Sequence, residues 1–157
     1  MEFDIDICSL SKNFYDDYPI KKYPEIMCKE NRPYTCLLID FHNKYLICIP
    51  FRSNVKHSES FTFSNTKRSK KSKSGLDYKK AILIENKRYI DNNNVVVDSD
   101  EYREMIKNKN KIANDINNYI NEYISFANGE KSAKCKEYDR KYKYSTLPYF
   151  NDILGIK

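Results

Sequence analysis

The stretch Arg52-Ser53-Asn54-Val55-Lys56-His57 gathers two cations, a hydroxyl, an amide and one of the chain's two histidines. Such groups suit the cleavage of RNA, which carries its own nucleophile in the 2′-hydroxyl. Attack on the adjacent phosphate needs in-line positioning, removal of the 2′ proton, charge stabilisation on the phosphoryl oxygens and a proton for the departing 5′ oxygen. Arg52 can hold the phosphate through a planar fork and Lys56 as a point charge. Ser53 and Asn54 can bond the non-bridging oxygens, and the imidazole of His57 can act as base or acid. The products would be a 2′,3′-cyclic phosphate and a 5′-hydroxyl, with no metal required. Each residue also has a plainer reading. A Ser-Asn pair after a strand makes a turn, cations at a strand end are solvated, and a lone histidine is held by structural hydrogen bonds. His42, at an expected hairpin tip, reads as surface.

A second constellation follows in TKRSKKSKSGLDYKK, residues 66–80. It holds seven basic residues and one acid, so its net charge of +6 equals that of the whole chain. A field concentrated in one segment suits a polyanion, because each neutralised phosphate releases counterions. Asn54, Lys67, Arg68, Lys70, Lys71, Lys73, Ser74 and Lys79 are the candidate RNA-binding residues. Ser74-Gly75 is read as a tight turn whose exposed N–H groups form a phosphate nest, with Leu76 as its anchor. Asp77 is placed to orient Arg52, Lys56 or a nearby lysine. Tyr34, Tyr78, Tyr138, Tyr142 and Tyr144 are candidate stacking platforms for unpaired bases. No His/Cys/Asp/Glu spacing suits a metal, and no glycine-rich phosphate loop occurs among only three glycines, so no cofactor is expected.

The elements that must position these groups are legible in the periodicity. Residues 3–8, FDIDIC, alternate apolar and acidic, which predicts a half-buried strand. Residues 11–33 carry prolines and mixed polarity, and read as a short helix or loop. YTCLLIDF (34–41) and KYLICIPF (44–51) predict a hairpin of central strands. SFTF (60–63), KAILIE (80–85) and NVVV (94–97) predict three more, with DNNN as a turn. From Asp98 the apolar residues recur in steps of three and four, which predicts one long amphipathic helix ending at Gly129, opened by an Asp98/Glu101 capping box. A shorter helix over 130–142 and a tail, STLPYFNDIL, that packs back on the core complete the prediction. The expected architecture is one α+β domain over residues 1–157, a compact, highly curved antiparallel sheet or barrel with the long helix against it.

With 40% hydrophobic content over 157 residues, a real core is available. The five cysteines form no CxxC pair, and the acidic start MEFDIDICSL is neither a leader nor a membrane span. Cytoplasmic location and no membrane partner are expected.

PFRSNVKH followed by SxSGLDYxKA and then a long helix resembles the ribonuclease toxins of type III toxin–antitoxin systems, the ToxN, AbiQ and TenpN group, and most closely its CptN branch. The resemblance runs from Tyr34 through the long helix. It implies a Kid/MazF-type fold, a sequence-specific, metal-independent endoribonuclease acting on cellular RNA, and a role in phage defence. It also implies inhibition by a small RNA antitoxin, a pseudoknot that the toxin itself processes, closing with it into a ring-like assembly. The better-known branch has Thr-Ser-Pro-Lys here. Its serine falls on Ser53 and its catalytic-site lysine on Lys56, one residue further on, while Arg52 replaces the threonine. The resemblance thus makes Arg52, Ser53, Lys56 and His57 the catalytic set. Two other functions remain open: a non-catalytic RNA- or DNA-binding module using residues 66–80, and a MazF-like toxin held by a protein antitoxin.

Overall fold

The computed structural model describes residues 2–28, 34–42, 44–92 and 95–156. Among the described residues, seven strands and six α-helices follow in the order β1 (Asp4–Leu10), α1 (Lys12–Asp17), β2 (Thr35–Asp40), β3 (Leu46–Arg52), β4 (Ser60–Thr62), α2 (Lys67–Lys71), β5 (Gly75–Asp77), β6 (Ile82–Ile84), β7 (Ile90–Asp91), α3 (Ser99–Lys107), α4 (Lys109–Ala127), α5 (Lys136–Tyr142) and α6 (Asn151–Leu154). The class is α+β, as expected. Every strand pairing is antiparallel, in the order β4-β5-β3-β2-β1-β7, with β6 also on β3. Closure into a barrel is not present among the described residues, since the sheet ends at β4 and β7.

β3 is the strand that matters most for the site. One edge runs along β2 from Leu46 to Pro50. The other pairs β6 through Leu46–Cys48 and then β5 through Phe51 and Arg52. Pro50 has no N–H to give, and it falls in the gap between those two partners, where that edge carries no pairing. The split brings β5 against the strand's end, beside the cationic stretch.

β5 is a correction to the sequence reading, which made Ser74-Gly75 an open nest. Gly75 is a buried strand residue facing Thr62 and Arg52. A Cβ there would lie 2.2 Å from the Phe61 carbonyl oxygen and 2.9 Å from Thr62 Cα. Glycine is demanded by the close approach of β4, not by a turn. Gly75→Ala is therefore expected to cost about 3 kcal/mol, the upper range for forced overpacking, and to lower the thermal midpoint by roughly 10 °C in a circular-dichroism melt. An unchanged midpoint would show that β4 can move aside freely.

Two further expectations are corrected. The long helix divides at Asn108, whose side-chain amide donates to the Glu104 carbonyl at 2.8 Å and closes α3 before α4 begins. Asp98 precedes α3 but makes no side-chain cap. NVVV forms no strand over 95–97, and Val96 is exposed. The last strand is instead β7, held to β1 where Ser11 bonds the Arg88 and Tyr89 carbonyls. Residues 130–135 are not helical, so the shorter helix is α5 alone. Asn43, Pro33 and Asn94 lie outside the described residues.

α4 buries Ile112, Ile116, Tyr119, Ile120 and Tyr123 of the predicted stripe in one core with the sheet, and Phe126 with them, whereas Ala127 at the end of the predicted face is exposed. The tail returns as expected: Leu147 and Phe150 are buried, and the Thr146 N–H donates to the Lys79 carbonyl at 2.9 Å. No described helix is long and apolar enough to cross a membrane.

Candidate active site

The end of β3 is locked to the end of β5 by one carboxylate. Arg52 faces Gly75 in the ladder, which sets Asp77 two residues further along β5. Arg52 Nη1 donates to Asp77 Oδ2 at 2.7 Å, His57 Nε2 lies 2.9 Å from Asp77 Oδ1, and the Lys79 N–H donates to the same Oδ1 at 3.0 Å. Asp77 is 0% exposed while the Arg52 side chain remains 38% exposed. Burial pushes the Asp77 carboxyl up, but contacts from His57 and Arg52 outweigh it and hold the group below the usual carboxylate range. The outcome is a buried anchor, charged at neutral pH, that holds Arg52 through Nη1 while the Arg52 side chain stays partly exposed.

Beyond Arg52 the chain turns. Asn54 takes a left-handed backbone conformation at φ 56°, which asparagine tolerates well, so this residue has a conformational reason to be there. Val55 is fully buried, and its N–H donates to the Lys73 carbonyl at 2.7 Å, pinning the turn to the strand's neighbour. Ser53, Asn54 and Lys56 stand exposed around that pin.

His57 differs from its expected role. Nδ1 accepts the Glu59 N–H at 3.1 Å, so a neutral ring carries its proton on Nε2, facing Asp77. Nε2 is shielded from solvent, and its N–H is not aimed along the 2.9 Å approach, so that contact is electrostatic rather than a linear hydrogen bond. Both nitrogens are engaged inside the protein. The geometry makes His57 a brace for Asp77, not a free base or acid.

Arg52 and Ser53 open onto a cleft of ≈ 390 Å³, shared with Tyr34, Arg68, Asp98 and Glu101. Lys56 does not line it. Glu101, assigned by sequence to a capping box, points inward: Ser74 Oγ donates to its Oε2 at 3.0 Å, and Arg68 Nη2 lies 3.4 Å from its Oε1. Neighbouring acids of α3 hold the basic segment too. Asp100 accepts the Lys67 N–H, and Glu104 accepts those of Ser64 and Asn65. This acidic edge docks the cationic insert beside the cleft.

The candidate RNA contacts therefore divide. Lys67, Lys70, Lys71 and Lys73 are exposed, and α2 buries nothing, as a polyanion-facing surface requires. Ser74 is removed from the set, since it is fully buried and bonded to Glu101. Lys79 is removed because its ammonium donates to the carbonyls of Arg140 and Lys143, near the end of α5. Among the tyrosines, Tyr78 and Tyr142 are core and Tyr138 packs on Phe126 and Tyr142, whereas Tyr34 lines the cleft and Tyr144 is 63% exposed. Comparison with protein-family models, curated proteins and solved structures finds no significant match.

Proposed function

We propose that this chain is a metal-independent endoribonuclease that cuts single-stranded RNA by 2′-hydroxyl attack. The observation that carries the reading is the exposed side of Arg52, fixed by buried, charged Asp77, beside the exposed Ser53 hydroxyl in an open cleft. A prepositioned guanidinium and hydroxyl can meet the charge that grows on a phosphoryl oxygen without reorganising first. The 2′ oxygen gives up its proton to water and bonds to phosphorus as the bond to the 5′ oxygen breaks, and the 5′ oxygen takes a proton back from water, leaving a cyclic phosphate and a 5′-hydroxyl. Lys56, exposed on the same turn, adds positive charge near the departing oxygen. His57 acts through Asp77. Tyr34 at the cleft wall offers a ring to an unpaired base.

The resemblance extends this to a type III toxin of the CptN branch, with a Kid/MazF-related sheet, restrained by a processed RNA pseudoknot in a ring-like assembly. The lysine face of α2 supports that extension, because it gives a structured RNA a surface larger than the cleft. The same face also suits an RNA-binding module without catalysis, and fragment ends separate the two. Incubation of the purified protein with single-stranded RNA in a chelator is expected to give fragments with 2′,3′-cyclic phosphate and 5′-hydroxyl ends. Bound but intact RNA would leave only the binding module.

A further inference from the structure

We propose that Arg68 and Arg52 form a built site for an internucleotide phosphate of RNA, in which Glu101 is the counter-ion that the phosphate displaces from Arg68. The inference rests on the ribonuclease reading only for the chain that carries the phosphate.

Arg68 lies in a run of lysines and looks like one more surface cation. Its surroundings differ. Lys67, Lys70 and Lys71 on the same helix are exposed, whereas Arg68 turns into the cleft that also holds Arg52 and Ser53. Nε and Nη2 of Arg68 are shielded from solvent and have no hydrogen-bond acceptor. The nearest charge, Glu101 Oε1, lies 3.4 Å from Nη2, an ion-pair distance too poorly aligned for a hydrogen bond. A guanidinium ordinarily presents two parallel N–H groups to two oxygens of one anion. Here Nε and Nη2, on one such edge, are unmatched, while the side chain as a whole stays 37% exposed. A buried donor without an acceptor is a standing cost that a tetrahedral oxyanion would remove.

Glu101 is a weak holder of Arg68 for a physical reason. It is only 2% exposed, and burial raises its carboxyl above the ordinary value, an effect that Arg68 and Ser74 reduce without cancelling. Its better-formed bond is the one that it accepts from Ser74. An arriving phosphate can therefore take Arg68 while Glu101 stays anchored on Ser74. Asp98 on the cleft wall opposes anions, so affinity must come from the two guanidinium groups together and not from a general positive field. On the opposite side, Asp77 keeps the Arg52 fork in place, and Ser53 supplies a hydroxyl donor.

The test is a titration with inorganic phosphate, followed through the arginine Nε–H resonances of the full chain. Wild-type protein should show the Arg68 signal moving with added phosphate. Arg68→Gln should weaken binding about tenfold, and Arg68→Lys nearly as much, since the paired donors carry the contact. Lys87→Gln, an exposed position away from the cleft and from the basic segment, should change it less than about twofold. Glu101→Gln keeps an acceptor for Ser74 and should bind phosphate about threefold more tightly, the opposite of what a purely structural tie would give. A 2′-O-methyl tetranucleotide, which cannot be cut by its own 2′-hydroxyl, should displace the phosphate. The proposal is overturned if Arg68→Gln and Arg68→Lys bind as the wild type does, if Lys87→Gln is equally weakened, if Glu101→Gln weakens binding, or if the tetranucleotide fails to compete. RNA cleavage with no Arg68-dependent phosphate binding sinks this site and leaves the ribonuclease standing. Arg68-dependent binding of phosphate and tetranucleotide by a protein that cuts no RNA does the reverse.

Discussion

Asp77→Ala is expected to lower the free energy of unfolding by about 3 kcal/mol at neutral pH, as the loss of a buried paired charge does. Two donors lose their acceptor at once, Arg52 Nη1 and the Lys79 N–H, and His57 loses its electrostatic contact. Arg52 is partly exposed and recovers some solvation, which keeps the cost at the low end of the range for broken buried pairs. For a chain of this size that corresponds to a thermal midpoint roughly 6–12 °C lower. The acid dependence supplies a second, independent check. The folded-state pKa of Asp77 lies below its unfolded value, so its contribution is fully present above the unfolded pKa and is lost as pH falls through the lower, folded one. The gap between wild type and Asp77→Ala should therefore close in urea melts as pH drops below about 4. A gap unchanged by pH would mean that size and packing, not charge, explain the residue. Asp77→Asn keeps the shape and one acceptor oxygen, and should fall between the two proteins.

Asp77 as a partner for a cation was legible in the sequence, with Arg52 one of three candidates, because both residues flank strand signals. The apolar runs around Arg52 are long, the hairpin before it is short, and a single acid amid seven cations invites a partner. The identity of β5 was not legible. Its glycine follows two serines in a lysine-rich stretch, which has the composition of a turn, and only the steric demand of the Phe61 carbonyl shows why glycine is needed. Charge counting likewise cannot separate Arg68 from the lysines beside it. What distinguishes Arg68 is its place on the cleft wall, with Nε and Nη2 shielded and Glu101 beside it, while the lysines of the same helix stay exposed. Glu101 fits a capping-box spacing, yet tertiary contacts with Ser74 and Arg68 claim it instead. The break at Asn108 shows the same competition within a helix. The apolar steps run on across it, but Lys107-Asn108-Lys109-Asn110-Lys111 offers no apolar side chain to carry packing through the junction. Periodicity found the faces, and what it missed was decided by contacts between elements far apart in sequence.

Arg52→Ala is expected to reduce RNA cleavage by about 10²–10³-fold, the usual effect of removing one preorganised donor from a developing oxyanion. It also strips a partner from buried Asp77, so lost activity alone would not separate chemistry from folding. Arg52→Lys resolves that ambiguity. A lysine can still reach Asp77 and hold the fold, but it offers no second edge to phosphate, so stability should largely return while cleavage stays at least about tenfold low. Ser53→Ala and Lys56→Ala touch exposed positions and should leave stability within about 0.5 kcal/mol while relieving growth inhibition on expression. Ser53, inside the cleft, should show the larger loss of cleavage, because Lys56 acts from outside it. His57 then separates the two roles open to it. As a brace for Asp77, it should give His57→Gln a modest fall in rate and a pH–rate profile of unchanged shape. Disappearance of one limb of that profile in His57→Gln would instead make the ring a proton carrier, requiring it to release either the Glu59 N–H or Asp77 during turnover.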